Sequence, residues 1–103
     1  MEQRFTDKVV LVTGGGTGIG RGTALRFARE GAEVVICGRR TELLNHVVEE
    51  ITSEGGRAWA RATDLRDIDD IQALVDAIIA RSGRIDVLVN NAALAARIAA
   101  AAS

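Results

Sequence analysis

The sequence contains no tyrosine and no proline, and it has one cysteine, one histidine and one tryptophan among 103 residues. A single cysteine, Cys37, forms no internal disulfide and excludes four-thiolate metal sites, so we expect a reducing, cytoplasmic environment. No apolar run reaches the roughly 18 residues that span a bilayer. The charged, mixed segment from Met1 to Lys8 does not have the pattern of a signal peptide. The absence of tyrosine removes one whole type of catalytic acid.

The sequence also has no large excess of charge of one sign, because its 13 Lys and Arg residues nearly balance its 14 Asp and Glu residues, for a net charge of −1. This balance gives no basic footprint for nucleic acid. The apolar share of 48% is too high for intrinsic disorder, and the length fits a single domain.

Short apolar runs alternate with longer amphipathic segments along the whole chain. The runs predict four strands, at residues 8–13, 33–37, 57–63 and 85–90. Helical spacing of apolar residues predicts three helices, from Arg21 to Glu30, from an N-cap at Thr41 to Gly55, and from an N-cap at Asp67 to Gly83. The order βαβαβαβ with short, right-handed connections predicts an α/β fold, in which helices cover both faces of a parallel sheet.

The composition changes near the end of the sequence. Residues 95–103 include six alanines and no glycine. Alanine is the strongest helix former, so this alanine-rich tail predicts the start of a fourth helix. No linker or internal repeat divides residues 1–103, which we interpret as one domain.

Glycines crowd the junction between the first strand and the first helix, in the segment from Thr13 to Gly20. Glycine permits a tight turn, lets backbone approach a pyrophosphate and allows close helix packing. The helix N-terminus then offers free N–H groups to phosphates. A merely flexible loop is the alternative, but it needs only one or two glycines. The segment therefore predicts a phosphate-binding turn.

The spacing Thr-Gly-x-x-x-Gly-x-Gly in this segment resembles the signature of the short-chain dehydrogenase/reductase family. Three further segments match the family in register: Arg39 after the second strand, Asp64-Leu65 after the third, and Asn90-Asn91-Ala92 at the end of the fourth. The match runs from residue 8 to about residue 94. One departure is Ala93, where the family usually has glycine.

This resemblance implies a truncated, partial Rossmann-type domain with the strand order 3-2-1-4. In the family an aspartate and the backbone of the next residue hold the adenine, which assigns that role to Asp64 and Leu65. The implied cofactor-binding residues are Gly14, Thr17, Gly18, Ile19, Gly20, Arg39, Asp64, Leu65, Asn90 and Ala92.

The end of the second strand indicates which dinucleotide binds. An NAD site normally has a carboxylate there for the ribose 2′-hydroxyl, whereas this chain reads Cys37-Gly38-Arg39-Arg40. A guanidinium binds a 2′-phosphate that a carboxylate would repel. The resemblance therefore implies NADP(H) rather than NAD(H), with Arg39 on the phosphate. The alternative is that Arg39 and Arg40 lie on a solvated turn, and Thr17 stands where many NADP-dependent relatives have a second basic residue.

The family's catalytic residues have no counterparts here. Its tyrosine, lysine, serine and asparagine act later in the fold, whereas this chain has no tyrosine and its single lysine, Lys8, precedes the first strand. Two interpretations remain open. The chain is the cofactor-binding portion of a reductase that interconverts a carbonyl and an alcohol, or it is a complete, non-catalytic dinucleotide-binding module. By resemblance the whole protein acts on a small molecule and forms a homo-oligomer, and the chain alone is expected to be inactive.

Other candidate residues favour structural roles. His46 lies on the polar side of its helix, which predicts an exposed side chain. Cys37 closes a strand and predicts a small, packed hydrophobe. Trp59 predicts packing at the edge of the sheet. We expect no metal site.

Overall fold

A computed structural model of the chain describes residues 3–16 and 18–90. The elements are β1 (Val9–Thr13), α1 (Gly18–Arg29), β2 (Glu33–Gly38), α2 (Thr41–Ser53), β3 (Arg57–Ala62), α3 (Ile68–Ser82) and β4 (Val87–Val89). All strand pairs are parallel, in the order β3-β2-β1-β4. The α/β fold and the strand order are therefore confirmed. The expected fourth helix in the alanine-rich tail lies outside the described residues.

The two central strands are buried because helices cover both faces of the sheet. Val10 and Val12 of β1 pack in one cluster with residues of α1 and α2. Leu11, which points to the opposite face, packs in a second cluster with residues of α3. Every residue of β1 is buried, which explains why its sequence is continuously apolar rather than alternating.

The ends of α3 follow the predicted signals. The Asp67 carboxylate accepts hydrogen bonds from the backbone N–H groups of Asp69 and Asp70, and Gly83 ends the helix with a φ of 85°. The prediction of Thr41 as an N-cap is wrong. Arg40 occupies that position and makes no side-chain cap, while Thr41 is the first helical residue. Sequence preference alone favoured threonine, but the turn out of β2 fixes where the backbone becomes helical.

Two predictions of helix faces are also corrected. The apolar stripe of α3 includes Ile68 and Ile79 by spacing, yet these residues are 58% and 47% exposed. The charge of Glu30, at the end of the predicted first helix, predicts a polar, exposed position, but the residue is buried. It follows the last turn and is paired with Arg4 and Arg26 at 3.7 and 3.5 Å.

Element bounds differ from the predictions mainly at β4 and α1. The fourth strand is three residues long; just before it, the Asp86 carboxylate accepts from the Val9 N–H and the Asp86 N–H donates to the Val9 carbonyl, each at 2.8 Å. The first helix begins at Gly18 rather than Arg21, since the glycine turn leads directly into it. Within the described part of the chain, no helix combines the length and apolar character needed to cross a membrane.

Candidate functional site

The glycine turn is packed against β2 and α2 on its inner side. The Gly14 N–H donates to the Cys37 carbonyl at 2.9 Å, and Gly14 has a φ of 66°. A Cβ atom on Gly15 would lie 2.7 Å from the Cβ and Cγ2 atoms of Ile36. A Cβ atom on Gly16 would lie 3.0 Å from the Cβ atom of Leu43 in α2. Glycine is therefore required here by close packing as well as by backbone conformation.

The outer side of the turn is open. Gly18 has a φ of 56°, and a Cβ atom placed there would meet nothing within 4 Å. Ile19 is 82% exposed, whereas Gly20 is buried under the start of α1. The first turn of α1 holds no acidic residue that would oppose an anion. Thr17 lies outside the described residues.

The ends of β1 and β4 are joined by a hydrogen bond between side chains. Thr13 is fully buried, and its hydroxyl donates to Oδ1 of Asn90 at 3.0 Å. This contact fixes the Asn90 side chain beside the start of the glycine turn. The other two residues of the predicted segment at this strand end, Asn91 and Ala92, lie outside the described part of the chain. Thr13 was not among the predicted site residues, although a threonine that ends an apolar strand carries a polar group to the same edge.

Asp64 lies just after β3, with its side chain 37% exposed. Arg66 donates to both carboxylate oxygens from its guanidinium and to Oδ1 from its backbone N–H, at 3.0 to 3.1 Å. These contacts, together with a smaller contribution from the nearby charge of Arg39, lower the pKa of Asp64 to about 2. Arg39 and Asp64 thus lie close enough to interact, although 25 residues separate them along the chain.

The backbone around Asp64 is fixed by neighbouring elements. Its N–H donates to Oδ2 of Asp70 at 2.7 Å, and the Thr63 N–H donates to the Gly38 carbonyl at 2.7 Å. Leu65 is partly buried against the cluster under α3, so its side chain anchors the turn. The sequence did not identify Asp70 and Arg66 as part of the site, because their residue types and spacing are also typical of charged side chains exposed to solvent.

Arginines at the carboxyl end of β2 differ from those elsewhere. Arg39 and Arg40 are exposed, and within the described residues neither side chain makes a hydrogen bond or an ion pair. Elsewhere in the described chain, arginines contact carboxylates or, for Arg81, the ring of Trp59: Arg4, Arg21, Arg26, Arg29, Arg57, Arg66, Arg81 and Arg84. Arg61, whose Cα atom pairs with that of Cys37, resembles Arg39 in this respect. Within the described residues, unpaired arginine side chains are therefore concentrated at one corner of the sheet.

The remaining candidates have the structural roles expected from the sequence. Cys37 is fully buried, and burial raises the pKa of its thiol to about 12. His46 is exposed on α2. Trp59 donates to Glu33 at 3.1 Å and stacks under Arg81 at 4.5 Å, at the edge strand β3. Among the described residues, no group of three or more potential metal ligands comes together.

The site residues that the structure describes lie at the carboxyl edge of the parallel sheet, where α/β proteins bind ligands. Gly14 lies in the turn after β1, and Gly18, Ile19 and Gly20 are the first residues of α1. Arg39 follows β2, Asp64 and Leu65 follow β3, and Asn90 follows β4. Four chain segments that are distant in sequence therefore converge on one edge.

Comparison with known proteins points the same way. The family model described as short chain dehydrogenase matches residues 8–102. The chain is 42% identical over 89 residues to the 7alpha-hydroxysteroid dehydrogenase of Escherichia coli K12, covering 86% of this chain and 35% of that protein. The citronellol catabolism dehydrogenase of Pseudomonas aeruginosa PAO1 superposes with a TM-score of 0.85 at 41% identity, over 87% of this chain and 38% of that one.

A metagenomic short-chain oxidoreductase solved in complex with NADP superposes with a TM-score of 0.83 at 42% identity, over 85% of this chain and 40% of that one. The chain thus spans a little over a third of the length of these relatives. With the family model matched over nearly the whole sequence, the chain belongs to the short-chain dehydrogenase family.

Proposed function

We propose that this chain binds NADP(H) in preference to NAD(H), as the cofactor-binding part of an oxidoreductase that interconverts a carbonyl and an alcohol. The bound dinucleotide would supply or accept the hydride. One observation carries the proposal: the glycine turn, the unpaired Arg39 and the Asp64 carboxylate share one edge of the sheet. These are the groups that a pyrophosphate, a 2′-phosphate and an adenine require.

The glycine turn suits a pyrophosphate because its outer side is free of side chains. Gly18 leaves open space, and the first N–H groups of α1 are available there. Crowding at Gly15 against Ile36 fixes the turn from behind, so that the backbone is held in one position. We assign pyrophosphate binding to the turn, and include Thr17 and Ile19 in it from the family resemblance.

The end of β2 suits a 2′-phosphate because it has guanidinium groups and no carboxylate. Gly38 occupies the place of the NAD-type acid, and Arg39 makes no competing ion pair among the described residues. The related structure solved with NADP supports this assignment. Asp64 and Leu65 would hold the adenine, and Asn90 and Ala92 complete the set at β4.

The test is a comparison of Arg39→Ala with Arg57→Ala. Both variants remove one exposed arginine. Arg57 is the first residue of β3 and therefore lies at the amino ends of the strands, away from the carboxyl edge that holds Arg39. Because hydrogen bonds to charged groups contribute about 1.5–3 kcal/mol, Arg39→Ala should weaken NADPH binding by about tenfold or more. NADH binding should change little, and Arg57→Ala should leave both affinities near their original values.

Isothermal titration calorimetry measures all four affinities under one salt condition. Equal weakening of NADPH and NADH by Arg39→Ala would disprove the assignment of Arg39 to the 2′-phosphate. Binding of neither dinucleotide by the unmodified chain would disprove the proposed function itself.

We further propose that the 103-residue chain binds the cofactor without turnover. Reduction of a carbonyl needs a proton donor for the developing alkoxide, and the family uses a tyrosine for this step, which the chain lacks. Measurable oxidation of NADPH with a ketone or aldehyde would contradict this expectation. The alternative of a non-catalytic dinucleotide-binding module that is complete at this length also predicts binding without turnover.

A further inference from the structure

Arg66 holds the Asp64 carboxylate in a fixed orientation. Its Nε atom donates to Oδ1 at 3.1 Å, its Nη2 atom donates to Oδ2 at 3.1 Å, and its backbone N–H donates to Oδ1 at 3.0 Å. A two-point contact between guanidinium and carboxylate fixes the plane of both groups and balances their charges. Arg66 therefore both orients and neutralises Asp64.

The position of Asp64 gives this pairing a consequence for the ligand. Gly38 pairs with Ala62 in the sheet, and the Thr63 N–H donates to the Gly38 carbonyl at 2.7 Å, so that Arg39 and Asp64, the next residues, lie side by side. An unbalanced carboxylate there would attract Arg39 and would repel a phosphate, which carries about 1.5 to 2 negative charges at neutral pH. Pairing with Arg66 removes both effects.

We infer that Arg66 is a positioning residue for cofactor choice: by pairing with Asp64, it leaves Arg39 available to a 2′-phosphate and removes the repulsion that Asp64 would exert on it. The inference rests on the proposed preference for NADP(H) and adds a residue outside the family signature. Arg66 acts through Asp64 and need not touch the ligand.

Other charged groups near Asp64 leave the pairing with Arg66 intact. Oδ2 of Asp70 accepts the Asp64 N–H at 2.7 Å, and the Asp67 N–H donates to the Asp64 carbonyl at 3.1 Å. The carboxylates of Asp67 and Asp70 are both engaged with backbone N–H groups at or near the start of α3. Arg66 and Arg39 are the cations that act on the Asp64 carboxylate, and Arg66 contributes the larger effect.

A double-mutant cycle separates action through Asp64 from direct contact with phosphate. The variants are Arg66→Ala, Asp64→Asn and the two combined, in the 103-residue chain. The probes are 2′,5′-ADP and 5′-AMP, which differ in the 2′-phosphate and share the adenine. The measured quantity is the ratio of their dissociation constants, so that a general loss of adenine binding cancels.

The matched control is Arg84→Ala. Arg84 pairs with Asp86 at 2.7 Å across the same spacing of two residues, near the amino end of β4. The Arg84→Ala substitution removes the same charge from an equivalent local ion pair, which lies away from the carboxyl edge of the sheet. Arg66→Lys keeps the charge and should retain most of the preference.

We expect Arg66→Ala to reduce the preference for 2′,5′-ADP by about fivefold, the size of a partly screened interaction between two charges. In the Asp64→Asn background the same substitution should change the ratio by less than about twofold. Carbon-13 titration of the Asp64 carboxyl should show a higher pKa in Arg66→Ala than in the unmodified chain, because its main partner is lost. This rise in pKa shows that the pairing exists in solution, whereas a purely structural role of Arg66 would leave the ratio of dissociation constants unchanged.

The remaining outcomes would overturn the inference. An equal loss of preference in the Asp64→Asn background means that Arg66 contacts the phosphate directly. An unchanged pKa of Asp64 means that the pairing does not exist in solution. If the unmodified chain shows no preference between the probes, or binds neither, the proposed function fails and this inference fails with it. A preserved preference in Arg66→Ala contradicts the inference alone.

Discussion

Replacement of Gly15 by alanine tests the packing behind the glycine turn. The added Cβ atom would lie 2.7 Å from the Cβ and Cγ2 atoms of Ile36 and 3.6 Å from the Val12 carbonyl oxygen. Carbon atoms in favourable contact are about 3.5–4.0 Å apart, so the overlap is close to 1 Å. Ile36 is fully buried in the central strand β2, and its Cβ atom cannot rotate away. Overpacking of this kind costs about 1–3 kcal/mol of unfolding free energy.

Urea unfolding followed by far-ultraviolet circular dichroism measures this cost. With an m value of about 1–3 kcal/mol/M, Gly15→Ala should lower the unfolding midpoint by about 1 M. Gly22→Ala is the matched control, because its Cβ atom would meet nothing within 4 Å inside α1. There the exchange should stabilise the chain by about 0.5–1 kcal/mol, because alanine is the better helix former.

The two substitutions add the same methyl group seven residues apart and are expected to have opposite signs. A midpoint for Gly15→Ala equal to that of the unmodified chain would show that the turn has room for a side chain. A decrease of equal size in both variants would show that loss of glycine itself, and not contact with Ile36, causes the effect.

Three further outcomes follow from individual side chains. Cys37 should resist alkylation in the folded chain at pH 8 and react on addition of urea, since burial raises its pKa to about 12; rapid native-state labelling, read by mass spectrometry, would contradict this. Asp67→Ala should cost about 1 kcal/mol in urea unfolding and Asp67→Asn less, because the asparagine oxygen also accepts from the first N–H groups of α3; equal losses would argue against capping. Ile78→Val should cost about 0.5–1.5 kcal/mol, whereas Ile79→Val should change the unfolding free energy little, because Ile78 is fully buried and Ile79 is 47% exposed; similar values would place both in the core.

The candidate site was predicted from short segments, each of which can be recognised from a few consecutive residues. The glycine turn between a strand and a helix needs only consecutive residues to be recognised; Gly14 lies in the turn, whereas Gly18 and Gly20 lie in the first turn of α1. Arg39 and Asp64 were each placed by the strand that precedes them. Parallel strands bring their carboxyl ends to one edge, so the order of elements was sufficient to bring these two together.

Side-chain contacts between these segments could not be predicted from the sequence. The pairing of Thr13 with Asn90 spans 77 positions, and periodicity has no information about it. Arg66 is close to Asp64 in sequence, but an arginine two residues after an aspartate is usually solvated. Only the geometry shows that its guanidinium meets both carboxylate oxygens.

The amino-acid sequence by itself determined the order of elements and the position of the glycine turn, because apolar runs, caps and glycine spacing act over a few residues, and the family resemblance supplied the strand order. Only the tertiary structure decided which apolar positions are buried and which charges are paired. Ile79 satisfies the helical period yet faces outward, and Glu30 reads as polar surface yet is buried beside Arg4 and Arg26. Burial and charge pairing depend on which elements pack together, and that packing is a property of the whole fold.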